Sequence, residues 1–305
     1  MSKIAFVFPG QGAQYVGMGK DFYDQIPVSK EMFKLAGEMS GLDMEALCFE
    51  ENERIHITEY TQIAMMAAEI AMLKAVEEKG VKPDVTAGLS LGEYGALAAA
   101  GVMSPADVFK VVRQRGLYMQ EAVPVGGAMT AVLGMDADKL EEICGKVQGQ
   151  VSIANYNCPG QIVITGEEEA VATAAAMAGE AGAKRCIPLK VSGPFHSPLL
   201  VGAGEKLEPV LSDVNVQDIT VPYIANVTAD YVSDKEQVRG LLKQQVSSSV
   251  RWQQTVERML ADGVDTFIEI GPGKTLTGFL RKISKDAVAI NIEKVEDLAK
   301  LDGLC

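Results

Sequence analysis

Histidine is scarce in this chain, two among 305 residues, and basic residues are outnumbered, with 28 Lys+Arg against 41 Asp+Glu for a formal net charge of −13. A protein that held phosphates by releasing their counterions would need a positive face, so nucleic acid and anionic membrane are excluded as first partners. Two isolated histidines, His56 and His196, and five cysteines without a CxxC pair build no plausible ligand set, so no metal is expected. The odd cysteine set of Cys48, Cys144, Cys158, Cys186 and Cys305 points to reduced thiols and a cytoplasmic protein. Long apolar runs are missing as well. After Met1-Ser2-Lys3 the run Ile4–Phe8 is too short for a signal peptide or a membrane span, Pro9-Gly10 ends it, and the stretch 64–73 is interrupted by Glu69. What is present is 48% apolar residues, ample for a core, in a length that allows one large domain or two modest ones.

The order of elements follows from periodicity and turn residues. Ile4–Phe8 reads as a buried strand entering the turn Pro9-Gly10-Gln11-Gly12, with amphipathic material over 18–39. A long helical pattern over 61–78 ends at Gly80, a short strand follows at 85–87, and an alanine-rich helix over 93–100 stops at Gly101. Ser104-Pro105 opens a further helix to about 121, with Ser suited to the N-cap and Pro to the first helical position. This alternation is that of an α/β sheet.

From Gly126 the order becomes βαββαβ, with strands at 129–133, 151–154, 162–165 and 185–190 and helices at 137–147 and 168–181. It is the split βαβ order of a ferredoxin-like unit. Beyond Gly193-Pro194 come longer helices, a strand at 221–225, helices at 235–246 and 251–261, a strand at Thr266–Ile270 and, after Gly271-Pro272-Gly273, a last helix at 275–283. The expected architecture is a large α/β-hydrolase-like domain with a parallel sheet, residues 1–125 and 194–305, carrying an inserted small ferredoxin-like subdomain over 126–193.

Gly88-Leu89-Ser90-Leu91-Gly92 lies between the short strand and the alanine-rich helix, the setting of a nucleophile elbow. Glycines two before and two after the serine permit the strained turn that lifts a hydroxyl off a sheet. A helix starting just behind it aims free N–H groups at an oxyanion. A serine that merely caps the helix is the competing reading, because the pattern fixes only three of five positions. A serine hydroxyl needs a neighbouring base, and only two histidines are on offer. His56, just ahead of the long helix, reads as a solvent-facing or capping residue. His196, in the turn Ser192-Gly193-Pro194-Phe195-His196-Ser197-Pro198, sits where catalytic groups concentrate, on a loop.

Six blocks now stand in order: Pro9-Gly10-Gln11-Gly12-Ala13-Gln14, Gly88-Leu89-Ser90-Leu91-Gly92-Glu93-Tyr94, Arg115-Gly116, Asn155-Tyr156-Asn157-Cys158-Pro159-Gly160-Gln161, Gly193-Pro194-Phe195-His196-Ser197 and Glu269-Ile270-Gly271-Pro272-Gly273-Lys274. In order and spacing they resemble the malonyl-CoA:acyl carrier protein transacylases over nearly the whole chain. The stand-alone length resembles that of the bacterial fatty-acid enzyme, and that family's inserted ferredoxin-like subdomain agrees with the pattern read above.

The resemblance implies ping-pong acyl transfer by a dyad. His196 takes the Ser90 proton, Ser90 attacks the malonyl thioester and releases CoA, and the phosphopantetheine thiol of an acyl carrier protein then takes the acyl group. CoA is a substrate and no cofactor is implied. The resemblance further implies an oxyanion hole from the backbone N–H groups of Leu91 and Gln11, and a histidine oriented by a main-chain carbonyl at Gln245, with Gln244 adjacent. Arg115 matches an arginine that pairs with the malonyl carboxylate, for which a fork of fixed donors is suited. A surface arginine on an amphipathic helix is its plain alternative. Asn155 and Asn157 resemble residues at the site mouth, although hairpin turn chemistry accounts for them nearly as well. One departure stands out: the family usually has His directly before the nucleophile, and here Leu89 is found, which leaves acyl selectivity open.

Rival readings are a serine thioesterase or hydrolase, in which water replaces the thiol, a non-catalytic carrier-docking protein, and a discrete acyltransferase of a polyketide assembly line. A nucleotide-binding protein fails on detail, since Gly10-Gln11-Gly12 lacks the third glycine of GxGxxG and Ile268 stands where a P-loop needs Gly. The net charge opposes docking of CoA and an acidic carrier, so a local basic rim is expected, drawn from Lys184, Arg185, Lys190, Lys274, Arg281, Lys282 and Lys285.

Overall fold

A computed structural model describes residues 2–123 and 125–304, which leaves Met1, Pro124 and Cys305 outside the described residues. Its ten strands are β1 Ile4–Phe8, β2 Val85–Gly88, β3 Gly127–Leu133, β4 Val151–Cys158, β5 Gln161–Glu167, β6 Arg185–Pro188, β7 Tyr223–Ala225, β8 Asp230–Tyr231, β9 Thr266–Ile270 and β10 Val288–Ile292. They form two sheets, one of order β10-β9-β1-β2-β7-β8 and one of order β4-β5-β3-β6.

The larger sheet is parallel from β10 to β7, with β1 hydrogen-bonded between β9 and β2. A strand buried on both faces reads as a continuous apolar run, and every residue of Ile-Ala-Phe-Val-Phe in β1 is buried. The helix Thr58–Glu78 covers one face and is buried nearly all round, which suits its apolar composition on every side. No helix among the described residues is long and apolar enough to cross a membrane. The helix Pro105–Ala122 begins as its residues dictate, with Ser104 Oγ accepting the Asp107 N–H at 3.1 Å and Pro105 in the first turn.

Two strands were not legible. β10 adds a fifth parallel strand at the edge, where Val288 is half-exposed and the burial pattern is weak. β8, two residues long, pairs antiparallel with β7, so the sheet is not wholly parallel as expected.

In the second sheet β5 lies between β3 and β4, and β6 borders β3, all antiparallel. That is the ferredoxin-like order. The helices Ala137–Lys146 and Glu168–Glu180 close a separate apolar core around Val132, Leu140, Ile164 and Val171. β4 runs past the expected 154 to Cys158, with irregular register between Ile153 and Asn155 and between Tyr156 and Cys158. Asn155 and Asn157 therefore lie on a strand and not in the turn at Pro159-Gly160, which corrects the hairpin-turn alternative. β4 is tied to the large unit at Val250, in the loop before the helix Trp252–Ala261: the Val250 N–H donates to the Ala154 carbonyl at 2.8 Å, and its carbonyl accepts the Tyr156 N–H at 2.9 Å.

Candidate active site

Adjacent parallel strands place the site. The carboxyl ends of neighbouring strands in an open α/β sheet form a natural crevice, and β1 and β2 deliver Gly10-Gln11 and Leu89-Ser90 to the same end. At Ser90 the chain turns through a left-handed conformation, φ +54°, one that few non-glycine residues adopt. Space for it exists because of the two flanking glycines: a Cβ on Gly88 would lie 1.9 Å from the Gly92 carbonyl oxygen, and one on Gly92 would lie 2.1 Å from that of Phe8. The helix Gly92–Ala99 starts directly behind.

His196 comes from the loop after β6 and also has positive φ, +60°. Its Nε2 lies 2.7 Å from Ser90 Oγ, and its Nδ1 lies 2.9 Å from the Gln245 main-chain oxygen. A carbonyl can only accept, so Nδ1 carries the proton and the Nε2 lone pair faces the serine. The Gln244 carbonyl accepts the Ser247 N–H instead. Burial, and then the Arg115 charge, push the His196 pKa down to about 4, against the hydrogen bond to the Gln245 carbonyl. The imidazole is therefore neutral at neutral pH and able to accept a proton. His56, by contrast, is exposed at the end of the short 3-10 turn Glu53–His56.

Arg115 is a buried side chain, 1% exposed, which removes the surface alternative. Its Nη1 donates to Gln62 Oε1 at 2.7 Å, and its Nη2 donates to Gln245 Oε1 at 3.0 Å and to Ser90 Oγ at 3.2 Å. The guanidinium lies 5.6 Å from the centre of the Tyr94 ring. Burial lowers its pKa, yet a guanidinium starts so high that it stays charged.

A cavity of about 430 Å³ opens onto this cluster and is lined by Gln11, Leu89, Ser90, Asn155, Asn157 and His196 among others. Neither the Gln11 nor the Leu91 N–H has an acceptor among the described residues. The Gln11 side chain is tied away from the cavity floor, donating to Thr58 Oγ1 at 3.0 Å. Leu89 packs its Cδ2 against the Gly10 turn, where a Cβ on Gly10 would approach it to 2.8 Å. Asn157 Oδ1 is buried with no partner among the described residues. Among the basic residues singled out, Lys282 donates to Gln161 Oε1 at 2.9 Å on the cavity wall, and Arg281 and Lys285 are exposed at the end of the same helix, with Lys285 Nζ donating to the Arg281 carbonyl at 2.9 Å.

Three residues of the cluster escaped the sequence reading. Asn226, just past β7, accepts the Ser90 N–H on Oδ1 and donates from Nδ2 to the Gly88 carbonyl, both at 2.6 Å. Glu93 accepts from Gln245 Nε2 at 2.7 Å, and Gln62 fixes Arg115 from the long helix. Only Glu93 carried a signal, its place directly after the serine motif. Among the described residues no group of His, Cys, Asp and Glu is arranged to hold a metal ion.

The model of the acyl transferase domain family matches residues 5–300. The malonyl CoA-acyl carrier protein transacylase of Bacillus subtilis is 47% identical over 303 residues, 98% of this chain and 96% of that protein. The solved structure of the Clostridium perfringens malonyl CoA-acyl carrier protein transacylase is 44% identical and superposes with a TM-score of 0.94, over 98% of this chain and 96% of that one. A malonyl-transacylase solved in complex with its type II PKS acyl-carrier protein is 40% identical, with a TM-score of 0.95 and 98% coverage of both chains. The chain belongs to the acyl transferase domain family and, within it, to the malonyl CoA-acyl carrier protein transacylases.

Proposed function

We infer that the chain transfers a malonyl group from CoA to the phosphopantetheine thiol of an acyl carrier protein, in support of fatty-acid synthesis, through a malonyl ester on Ser90. The observation that carries this reading is the position of a buried guanidinium 3.2 Å from a serine hydroxyl that also faces a neutral histidine. A hydrolase of neutral esters has no use for a buried cation beside its nucleophile, whereas an acyl group ending in a carboxylate does.

In the first half-reaction Ser90 Oγ attacks the thioester carbon, its proton passes to His196 Nε2, and the carbonyl oxygen becomes an oxyanion facing the Leu91 and Gln11 N–H groups. Collapse breaks the C–S bond, and the His196 proton goes to the CoA sulfur. In the second, His196 takes the proton of the carrier thiol, the sulfur attacks the ester carbon, and Ser90 leaves with that proton. The Gln245 carbonyl keeps the imidazole in the tautomer that both halves require. Arg115 holds the distal carboxylate, and Asn155 and Asn157 present polar groups to the pantetheine arm at the cavity mouth. Lys282, Arg281 and Lys285 supply a basic rim for an acidic carrier on a chain of net charge −13.

The same reading treats 126–193 as an inserted unit, supported by the self-contained pairing of β3–β6 and their separate core. It places the reaction in the cytoplasm, in keeping with four unpaired thiols, Cys48, Cys144, Cys158 and Cys186. A carrier of a polyketide assembly line is the second reading, favoured by the relative solved with its type II PKS carrier. The fate of the acyl group separates transfer from hydrolysis. Malonyl-Ser90 is expected to persist in buffer and to discharge on adding holo carrier protein; rapid discharge by water alone, unchanged by carrier, would establish a thioesterase instead.

A further inference from the structure

Glu93 is buried, 1% exposed, in the first turn behind the nucleophile. Its Oε2 accepts two hydrogen bonds, from Gln245 Nε2 at 2.7 Å and from the Asn226 backbone N–H at 3.1 Å. Both partners hold Ser90 in turn. Asn226 Oδ1 accepts the Ser90 N–H at 2.6 Å, and Gln245 Nε2 donates to the Ser90 carbonyl at 2.9 Å. Gln245 also accepts from His196 Nδ1 on its main-chain oxygen and from Arg115 Nη2 on Oε1. One carboxylate oxygen thus joins the two residues that fix the nucleophile's backbone, the base and the guanidinium.

The chemistry of Gln245 makes the charge state of Glu93 matter. An amide side chain fits its pocket in two orientations related by a flip, and its neighbours decide between them. An ionised carboxylate only accepts, so it demands Nε2 and thereby turns Oε1 toward Arg115. The flipped amide would set oxygen against oxygen on one side and NH₂ against a guanidinium on the other.

We propose that ionised Glu93 is the positioning residue of this site, holding Gln245 and Asn226 so that Ser90, His196 and Arg115 keep their mutual register. The proposal rests on the acyl-transfer reading above. The ionisable groups that face Glu93 are Arg115 from the helix Pro105–Ala122, Tyr94 from its own helix and Tyr223 from β7. Only Arg115 among them is charged at neutral pH. Burial raises the Glu93 pKa to about 7, opposed by the bonds from Gln245 and Asn226 and by the Arg115 charge. Glu93 Oε1 is buried with no hydrogen-bond partner among the described residues, so a proton taken up near pH 7 settles there; Oε2 then accepts only as a neutral oxygen, and its hold on Gln245 and Asn226 weakens.

The test is the rate of Ser90 malonylation against pH, followed by intact-protein mass, for the native chain and for Glu93→Gln and Glu93→Ala. The native rate is expected to fall on an acid limb near pH 7. Glu93→Gln has no proton to gain and offers both donors one neutral oxygen, as the protonated carboxyl does; it should lose that limb and run at every pH about 10-fold below the native plateau, near the rate the native chain reaches on the acid side. Glu93→Ala should lose about 100-fold in rate, the cost of a misplaced reacting group, with little change in KM for malonyl-CoA. A limb that persists unchanged in Glu93→Gln, or native speed in Glu93→Ala, would overturn the proposal. If the native chain itself takes no malonyl group on Ser90, the acyl-transfer reading fails; if it does and the variants match it, only the role of Glu93 fails.

Discussion

Replacing His196 by Ala is expected to slow malonylation of Ser90 by about 10³–10⁴-fold, or about 4–5 kcal/mol of barrier, measured by single-turnover acylation with malonyl-CoA. The size follows from the lack of a replacement base: among the described residues His196 Nε2, 2.7 Å away, is the one basic nitrogen with a free lone pair bonded to Ser90 Oγ, and the second histidine is exposed at the end of the turn before the long helix. Some activity should remain, because the N–H groups of Leu91 and Gln11 are untouched by the substitution. The sign of the pH dependence is fixed as well. Burial depresses the imidazole pKa from 6.5 to about 4, so His196 stays an unprotonated base from neutrality down to that value. Any acid limb well above it belongs to another group, which is the reason a limb near 7 reports on Glu93. A loss of less than tenfold in the variant would remove His196 from the role of base.

The second large effect concerns acyl choice. Arg115→Ala should cost turnover of malonyl-CoA far more than that of acetyl-CoA. A desolvated charged pair supports about 2–5 kcal/mol of discrimination, which is roughly 30- to 5,000-fold in the ratio of kcat/KM values. In the native chain the acetyl group leaves the guanidinium without its anion, whereas malonyl supplies a planar partner for a fork already fixed by Gln62 and Gln245. Removing Arg115 strips those two glutamines of a donor and destabilises the fold somewhat. A ratio between two substrates on one preparation is insensitive to that loss. Equal losses on both substrates would mean that Arg115 serves the architecture alone. Leu89, an apolar wall of the same cavity, adds no charge to the comparison.

Elements whose pattern is local were legible in the sequence. The buried run of β1, the glycine-flanked Ser90 between a strand and a helix, and the Ser104-Pro105 helix start each depend on neighbours a few positions away, and each was found where expected. The βαββαβ order predicted the second sheet because its alternation of short strands and helices is compact in sequence. β10 leaves no such signal: an edge strand with one exposed end has neither the apolar continuity of β1 nor a clean alternation. The second half of β4 is not legible, because two irregularities in register break its period. The cluster around Ser90 was only half legible. Asn226 reaches it across 136 positions and Gln62 fixes Arg115 across 53, through single hydrogen bonds that leave no periodic trace. Gln245 could be approached only by resemblance, since a main-chain carbonyl has no residue signature; its side chain, bonded to Arg115, Glu93 and Ser90, is what makes that position specific.

The central claim is that Ser90 carries the malonyl group between two thiols. Intact-protein mass spectrometry after brief exposure to malonyl-CoA, on the native chain and on Ser90→Ala, tests it most directly. One malonyl adduct on the native chain, mapped to the peptide containing Ser90 and missing from Ser90→Ala, is the predicted result. An adduct of equal yield on both proteins, or none on a folded native chain, would contradict it.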